Sequence, residues 1–401
     1  MNHDDPDLLS AARRLLPGIT ELRRTIHRTP ELGTDLPRTQ RTVLDALAGL
    51  PLRVVTGEGL SSVTATLDGA RPGRTVLLRA DMDALPLTEE TGLDFASQVP
   101  GAMHACGHDT HTAMLVGAAR LLHARRERLA GRVVFMFQPA EEAGGGAHRM
   151  IEEGVLRQPD GADVDAAFAL HVTTRHESGT LHLRPGPLFA GSDRIRITVR
   201  GRGGHASAPH LALDPVPVAC EIVQALQTMV TRTVSVFDPA VITVTSLTAG
   251  TATNVIPGSA TLAGTCRTLS PAARQAARDG IERVARGVAA AHGATAETEF
   301  AEGYPPVVND PDVTDLVTAT AGRLLGPDGV HRLPDPVMGA EDFSYVLQRV
   351  PGAMAFLGAR PPGTPAGEAP DIHSGRVVFH EEAMAAGAAL HAAMAEALLA
   401  R

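Results

Sequence analysis

The stretch around which this chain is organised is MHACGHDTH, residues 103–111. It brings a thiol, three imidazoles and a carboxylate together within nine residues. An apolar pattern with helical spacing, residues 112–122, follows directly and predicts that the stretch is a loop entering a helix N-terminus. Because Gly107 leaves the backbone unrestricted, Cys106 and His108 on either side of it can turn toward a common point.

A thiolate and an imidazole suit a borderline divalent ion such as zinc, and a helix N-terminus favours the thiolate form of Cys106. Two candidate ligands do not make a metal site. Taken alone, the loop is equally compatible with a buried structural cysteine beside solvated histidines. The remaining ligands must come from other parts of the chain.

Composition excludes several classes of protein. A chain of 401 residues with 44% hydrophobic content predicts a globular protein of two or three domains. The formal net charge is -9, and the chain has no basic block of the kind that binds nucleic acid. We therefore expect no nucleic-acid partner.

Cysteine usage and the N-terminus bear on the compartment. Cys106, Cys220 and Cys266 are odd in number and widely spaced, which argues against a disulfide framework and favours a reducing compartment. Residues 1–7 are acidic and lack the apolar core of a signal peptide, and no stretch has the length of a membrane span. These features predict a cytoplasmic protein without a membrane partner.

Strand and helix patterns alternate through the first part of the chain and return near its end. The predicted strands are 62–67, 75–79, 132–137, 165–170 and 353–357, and the predicted helices are 8–27, 42–50, 112–122, 147–153 and 382–399. This alternation predicts an α/β fold with a mostly parallel central sheet. Ligands of such sheets bind beyond the carboxyl ends of the strands.

Acidic and imidazole groups follow these strands where they end. Asp81 and Asp83 follow strand 75–79, the Glu141-Glu142 pair follows strand 132–137, and His171 follows strand 165–170. Since the carboxyl ends of parallel strands meet at one edge, these groups and the 103–111 loop are expected to converge there. Convergence turns the weak pair in the loop into a predicted metal site.

A segment of different texture interrupts this pattern. Strands at 194–199, 241–245, 260–265 and 297–300 and helices at 215–230 and 271–291 follow the order strand, helix, strand, strand, helix, strand. That order predicts a separate ferredoxin-like α+β domain. We therefore expect a discontinuous catalytic domain, residues 1–186 and 302–401, with residues 187–301 inserted into it.

Several motifs, in this order, carry a resemblance to a known family. They are RADMDALP (79–86), MHACGHDTH (103–111), QPAEE (138–142), LHV (170–172), GGHA (203–206), NVIP (254–257) and GAEDF (339–343). The chain resembles the amidohydrolase branch of the metallo-aminoacylase/carboxypeptidase superfamily, which contains hippurate hydrolases, N-acyl-amino-acid amidohydrolases and indoleacetyl-amino-acid hydrolases. The resemblance runs from about residue 23 to the C-terminal helix. It implies a dinuclear metal site, an inserted lid and dimerisation domain, and a homodimer or homotetramer.

Carried over by position, the resemblance implies metal ligands and a general base. The implied ligands of the two divalent ions are Cys106, His108, Glu142, His171 and His373, and Glu141 is the implied base. Adjacent glutamates point in different directions, so one can bind metal while the other faces water. A solvated acidic loop is the alternative for this pair. The mixed donors accept zinc, manganese, cobalt or nickel.

Other residues receive supporting roles. His373 departs from the family's usual hydrophobic lead-in, although Ser374 and the acidic residues 381–382 restore the pattern. Three aspartates near the loop could orient the ligands through hydrogen bonds without binding the metal, and a turn or capping role suits them equally well. These aspartates are Asp81, Asp83 and Asp109.

In the inserted domain, His205 resembles the histidine that donates to the oxyanion of the tetrahedral intermediate, in its own or the neighbouring subunit. Asn254 and Arg267 resemble the partners of the substrate's carboxylate, and a structural ion pair is the alternative for Arg267. The remaining histidines, including His104, His111 and His210, are assigned surface, capping or packing roles.

The predicted function is metal-dependent hydrolysis of the amide bond of N-acyl amino acids, with an acetyl, benzoyl or aryl-acetyl group, releasing a carboxylic acid and a free amino acid. A dipeptidase and a deacetylase of a diaminoacid intermediate remain alternatives within the superfamily. A thiol hydrolase using Cys106 with His108 would leave the other implied ligands unexplained. An inactive amino-acid-binding protein is the remaining alternative.

Overall fold

The structure is a computed structural model that describes residues 6–142 and 144–401. The acidic residues 1–5 at the N-terminus, and Ala143 in the predicted acidic loop, lie outside the described residues. The chain forms two compact units. The large unit comprises the residues up to Leu188 together with Val308–Asp335 and Asp342–Arg401, and the small unit comprises Phe189–Val307 and Pro336–Glu341.

The helices begin and end as follows. They are α1 (Pro6–Arg28), α2 (Pro37–Leu47), α3 (His108–Ala124), α4 (Gly146–Glu152), α5 (Pro215–Thr233), α6 (Pro271–Ala291), α7 (Pro311–Leu325), α8 (Ser344–Leu347) and α9 (Ala383–Leu399). Short 3-10 turns lie at Arg126–Arg128, Pro209–Leu211 and Pro327–Gly329.

The strands are described in the same order. They are β1 (Arg53–Thr56), β2 (Val63–Asp68), β3 (Arg71–Asp81), β4 (Ala130–Gln138), β5 (Ala166–Glu177), β6 (Leu181–Leu183), β7 (Gly186–Phe189), β8 (Gly191–Arg200), β9 (Gly204–His205), β10 (Ala240–Ala249), β11 (Val255–Ile256), β12 (Ser259–Thr268), β13 (Thr295–Ala301), β14 (Val307–Asn309), β15 (Val330–Arg332) and β16 (Gly352–Arg360).

The large unit is built on a sheet of eight strands in the order β1-β2-β4-β3-β5-β16-β6-β15. At its centre, β3 is parallel to β4 and β5, and β5 is parallel to β16. Antiparallel pairs bring in β1, β2 and β6. The predicted α/β fold with a mostly parallel central sheet is therefore confirmed, and the carboxyl ends of β3, β4, β5 and β16 share one edge.

The core of the large unit explains why its central strands are continuously apolar. Val76, Leu77 and Leu78 in β3 and Phe135 and Phe137 in β4 are all fully buried. Helices α1, α3 and α9 pack against one another, and α3 and α9 also contact the sheet. A strand covered on both faces has no solvent side for polar residues, so alternation is lost. The site loop before α3 is thus attached to a rigid element.

The small unit has a four-stranded antiparallel sheet in the order β10-β12-β8-β13. Strand β8 alternates, with Ile195, Ile197 and Val199 buried and Arg194 and Arg196 exposed. The buried side joins a core with α5 and α6. The chain order β8, α5, β10, β12, α6, β13 is the one expected for a ferredoxin-like α+β unit, as the sequence predicts.

The structure differs from the sequence-based expectation in its short elements. Helix α2 spans Pro37–Leu47, whereas residues 42–50 were predicted. A proline opens this helix, and its fixed φ suits the first helical turn. The three- and four-residue strands β1, β6, β7, β14 and β15 are too short to show a period. Within residues 6–142 and 144–401, no helix is long and apolar enough to cross a membrane.

Candidate metal centre

The loop before α3 turns at Gly107. Its φ is 85°, in the left-handed region that favours glycine, and a Cβ there would collide with the side chain of Val172. The turn lets Cys106 and His108 face the same side, and both are buried. Helix α3 begins at His108, so the loop is fixed by a helix that is itself buried on nearly every side.

The backbone of Glu141 and Glu142 is held by Asp83, which lies two residues after the end of β3. Asp83 Oδ1 accepts the backbone N–H of Glu141 at 3.0 Å, and Asp83 Oδ2 accepts that of Glu142 at 3.1 Å. Ala140, directly before the pair, has a φ of 61°. A left-handed conformation is costly for a residue with a Cβ, and such strain is typical of functional sites. The two glutamates are therefore fixed by backbone contacts.

Two histidines reach the same place from other elements. His171 lies on β5, and its Nε2 is 3.4 Å from the Sγ of Cys106. His373 lies in the loop after β16, where its backbone N–H donates to the carbonyl of Ala105 at 2.9 Å. The Nε2 of His373 is 3.4 Å from Oε1 of Glu142. The structure thus assembles all five implied ligands.

The donor atoms form overlapping sets, in each of which all donor atoms lie within 4.8 Å of one another. One set is Cys106, His108 and His171, and a second is Cys106, Glu142 and His373. The thiol belongs to both sets, so Cys106 would be the shared ligand if each set held a cation. Glu141 belongs to neither of these sets, although its carboxylate lies within the same distance of His108 and Glu142.

Unsatisfied buried atoms show that this cluster suits cations. Among the described residues, neither ring nitrogen of His108 has a hydrogen-bond partner, and the same holds for Oε1 of Glu142. Buried polar atoms without partners cost free energy and are rare in folded proteins. Thiolate, imidazole and carboxylate donors are ligands of borderline divalent metals. The residues present therefore fit two divalent cations.

The electrostatics of the cluster point the same way. Burial and then the nearby carboxylate of Glu142 raise the pKa of the Cys106 thiol well above its usual range, so the expectation that the helix N-terminus favours the thiolate is wrong for the metal-free site. Burial disfavours the charged form of His108, but Asp81 and Asp83 outweigh it and raise its pKa to about 10. Burial lowers the pKa of His171 to about 3, which leaves a neutral imidazole. The excess of acidic groups around His108 is what a bound cation would neutralise.

The three supporting aspartates have different surroundings. Oδ2 of Asp81 lies 3.6 Å from Nε2 of His108, and Oδ1 of Asp83 lies 3.4 Å from its Nδ1. Asp109 instead accepts hydrogen bonds from Nε of Arg23 and from Nδ1 of His27, each at 2.8 Å. Asp81 and Asp83 therefore lie beside the two ring nitrogens of His108, whereas Asp109 ties the loop to α1.

A buried polar network behind the ligands is missing from the sequence-based set. Arg79 is fully buried and donates to Asp81 at 2.6 Å, to Gln138 at 2.9 Å and to Asp342 at 3.0 Å. His111 is 1% exposed, and its Nδ1 lies 2.5 Å from Oδ1 of Asp81. The sequence feature that could have indicated this network is a charged residue, Arg79, near the end of an apolar strand.

The small unit places His205 and Asn254 together. His205 on β9 pairs with Val255 on β11, and the N–H of Ala206 donates to the carbonyl of Asn254 at 3.0 Å. Arg267 lies on a different sheet, in β12. Burial lowers the pKa of the half-buried Arg267, and no carboxylate from the described part of the chain forms an ion pair with it.

Comparison with known proteins identifies the family. The sequence model of peptidase family M20/M25/M40 matches residues 77–397. Thermostable carboxypeptidase 1 of Saccharolobus solfataricus is 40% identical over 392 residues, covering 97% of this chain and 97% of that protein. N-acetylcysteine deacetylase of Bacillus subtilis is 40% identical over 341 residues, covering 85% of this chain and 88% of that protein.

A solved structure agrees with the sequence matches. The Bacillus subtilis YXEP protein, described as a dinuclear metal-binding peptidase of family M20, matches with a TM-score of 0.85 and 33% identity, covering 97% of this chain and 99% of that chain. The family match, the relatives and the shared fold extend over most of the chain. The chain therefore belongs to peptidase family M20/M25/M40 and is a metal-dependent amidohydrolase.

Proposed function

We propose that this enzyme hydrolyses the amide bond of N-acyl amino acids and releases a carboxylic acid and a free amino acid. The observation that carries the proposal is the position of Glu141. Its carboxylate lies beside His108 and Glu142 but in neither of the two donor sets that share Cys106. A buried carboxylate that is not needed as a ligand is available as a general base.

The two donor sets are proposed to hold the ions. Cys106, His108 and His171 would hold one, and Cys106, Glu142 and His373 the other, with the thiolate shared. When bound, a pair of divalent ions lowers the pKa of water and polarises the amide carbonyl. The ions are zinc, manganese, cobalt or nickel, since this donor set accepts each of them.

Glu141 is proposed to move the proton. Its backbone N–H is fixed by Asp83, so the carboxylate has a defined position. The carboxylate takes a proton from the attacking water as the C–O bond forms, and returns it to the leaving nitrogen as the C–N bond breaks. One group acts as base and then as acid, and no further proton carrier is required.

His205 is proposed to stabilise the oxyanion. Its Nδ1 accepts the backbone N–H of Ser207 at 3.1 Å, so in the neutral ring the proton lies on Nε2. His205 is exposed, which leaves this N–H available as a donor. A donor aimed at developing negative charge is worth more in the transition state than in the ground state. We propose that the enzyme is a homodimer, in which His205 serves either the site of its own subunit or that of the neighbouring subunit.

Arg267 and Asn254 are proposed to bind the substrate's carboxylate. The guanidinium of Arg267 is half-buried and has no carboxylate partner among the described residues. A planar guanidinium binds a carboxylate through two parallel hydrogen bonds. Asn254, beside His205 in the same small unit, would add an amide donor.

We also propose a role for each domain. Residues 1–186 and 302–401 form the catalytic domain, and residues 187–301 form the lid and dimerisation domain.

The experiment is a substrate panel. N-acetyl, N-benzoyl and indoleacetyl amino acids are assayed with each candidate metal, and each acid is paired with its α-amide. We expect metal-dependent release of amino acid from the carboxylate forms and loss of activity with a chelator. Turnover that survives complete metal removal would contradict the proposal and favour a thiol hydrolase.

We propose that the enzyme is cytoplasmic, because Cys106, Cys220 and Cys266 are all free thiols and a reducing compartment keeps thiols free.

A second candidate function is removal of C-terminal amino acids from peptides. A relative at 40% identity is named a carboxypeptidase, whereas another is named a deacetylase. A peptide is an acyl amino acid with a larger acyl part, so the same ions and base would serve both. A comparison of kcat/KM for N-acetyl-leucine and for a tripeptide ending in leucine separates the two functions.

A further inference from the structure

One peptide group beside the metal ligands contacts two imidazoles. The carbonyl of Val172 accepts a hydrogen bond from Nδ1 of His171 at 2.7 Å, and the N–H of Val172 donates to Nε2 of His111 at 2.8 Å. A carbonyl can only accept and a backbone N–H can only donate. Each contact therefore fixes which ring nitrogen carries the proton.

For His171, the proton lies on Nδ1. The lone pair then lies on Nε2, the atom that is 3.4 Å from Sγ of Cys106. For His111, Nε2 must accept, so the proton lies on Nδ1 and is donated to Oδ1 of Asp81, 2.5 Å away. Both rings are buried, so water does not compete for these hydrogen bonds.

The network behind His111 fixes its direction. Asp81 also accepts from Arg79 at 2.6 Å, and that guanidinium and Asp81 are both fully buried. Arg79 in turn donates to Asp342, which also accepts the backbone N–H of Ala147 at 2.9 Å. Because Asp81 is held as a charged acceptor, it requires a donor from His111. The network therefore excludes the other neutral tautomer of His111, whose Nδ1 could not donate.

We propose that His111 is a positioning residue for the metal centre. It acts through the Val172 peptide group, which it orients so that His171 presents Nε2 to the ion held with Cys106 and His108. We expect the effect to be selective, because the side-chain hydrogen bonds of this peptide group in the described part of the chain go to His171 and His111 and not to Glu142 or His373. The inference rests on the proposed ligand sets and not on the proposed substrate.

Two substitutions distinguish the hydrogen bond at Nδ1 of His111 from the hydrogen bond at its Nε2. His111→Asn places an amide N–H near the position of Nδ1 and keeps the donor to Asp81, but it removes the acceptor for Val172. His111→Gln places an amide oxygen near the position of Nε2 and keeps that acceptor. His391→Gln is the matched control, because His391 is also 1% exposed and neither of its ring nitrogens has a partner among the described residues.

The measurement is a Co²⁺ titration of the chelator-treated full-length protein, followed by cobalt d–d absorption and the thiolate-to-cobalt charge-transfer band. We expect wild type, His111→Gln and His391→Gln to bind two equivalents. His111→Asn should bind one equivalent normally and the other about 10- to 100-fold more weakly, the usual effect of losing a contact that orients a ligand. The thermal midpoint of each metal-free variant shows whether it folds.

Other outcomes overturn the inference. Normal binding of both equivalents by His111→Asn would show that the Val172 contact does not matter. Equal weakening in all three variants would show general damage to the core. Weakening in His111→Gln but not in His111→Asn would assign the role to the contact with Asp81 instead. A wild-type protein that binds no Co²⁺ would overturn the ligand sets as well.

A measurement without substitution covers the case in which His111→Asn does not fold. Histidine labelled with nitrogen-15 in the zinc-loaded protein reports the protonation of each ring nitrogen. We expect a protonated Nδ1 and an unprotonated Nε2 for His111, and a protonated Nδ1 for His171. A proton on Nε2 of His111 would contradict the hydrogen bond from Val172 and overturn the inference.

Discussion

Two groups of histidines in the large unit have opposite surroundings. In the metal cluster, the rings of His108 and His171 are 6.2 Å apart at 84°, and one ring nitrogen of each lies within 4.8 Å of Sγ of Cys106. At the sheet edge, His176 and His182 stack at 3.5 Å and 8°. His331 stacks on the other side of His182 at 4.6 Å and 21°.

The charges around the two groups differ as much as the ring geometry. Carboxylates outweigh burial and raise the pKa of His108 to about 10. In the stack, burial and the neighbouring imidazoles lower the pKa of His182 to about 3. Burial, followed by the positive charges of Arg175 and Arg360, also lowers the pKa of His176. Stacked imidazole rings lie in nearly parallel planes, so their nitrogen lone pairs do not point toward one common position. A metal centre thus requires donor atoms that face one position and nearby carboxylates that balance the charge of the cation. A cluster of histidines alone is not enough.

The largest effect should come from Cys106→Ala. Both donor sets lose the same ligand, so we expect metal content well below two ions per chain and turnover at background. Metal analysis after reconstitution and gel filtration measures the first quantity, and an acylase assay the second. His182→Ala, which removes the centre of the stack, is the control and should keep its metal. Full metal content in Cys106→Ala would contradict the shared thiolate.

The next effect should come from Glu141→Gln. The change keeps the side-chain volume and removes only the proton carrier, so both ions should remain while kcat falls about 100- to 10,000-fold. Metal analysis and steady-state kinetics on one preparation separate the two outcomes. A variant with nearly normal kcat would assign the base to another residue, and a variant without metal would show that Glu141 is a ligand.

A smaller effect is expected at Arg267. Loss of a hydrogen bond to a charged group costs about 1.5 to 3 kcal/mol, so Arg267→Ala should lower kcat/KM for N-acyl amino acids about 10- to 150-fold. The corresponding α-amides, which have no carboxylate, should lose much less. Metal content should not change. Equal losses on acid and amide would show that Arg267 supports the fold of the small unit instead.

The smallest effect concerns acid stability of the stack. The folded-state pKa of His182 is depressed, so between pH 6.5 and about 3 the folded state binds fewer protons than the unfolded state. Stability is therefore lost as the pH falls through this range. His182→Phe keeps a ring in the stack without a titrating group.

We expect the metal-free His182→Phe variant to gain on the order of 1 kcal/mol relative to wild type at pH 5, since a half-exposed ring is partly screened. This corresponds to a rise of about 2 °C in thermal midpoint. At pH 8 His182 is neutral, and any remaining difference measures packing and the lost hydrogen bond between Thr180 and His182. A difference that is the same at both pH values would contradict the titration argument.

Sequence patterns predicted the central strands and the small unit well because their hydrophobic periods are long. Residues 75–79 and 132–137 lie inside β3 and β4, and the strand and helix order of the small unit is as expected. Short strands such as β6 and β15, which carry His182 and His331, were missed because three residues show no period. The stacked histidines were therefore invisible in the sequence.

The candidate site was predictable as a set of residue types but not as an arrangement. The positions at strand ends, together with the resemblance, indicated the candidate ligands Cys106, His108, Glu142, His171 and His373. The proposed sharing of Cys106 depends on the turn at Gly107, and the proposed role of His111 depends on a backbone N–H contributed by β5. Contacts between a side chain and a distant backbone group leave no pattern in the sequence.

The most direct test of the central claim is anomalous diffraction from crystals of the zinc-loaded enzyme at the zinc absorption edge. We predict two peaks in the large unit, each about 2.3 Å from Sγ of Cys106, the usual length of a zinc–thiolate bond. We predict no peak at the stack of His176, His182 and His331. A single peak, a pair of peaks of which one does not contact Cys106, or a peak at the stack would contradict the account.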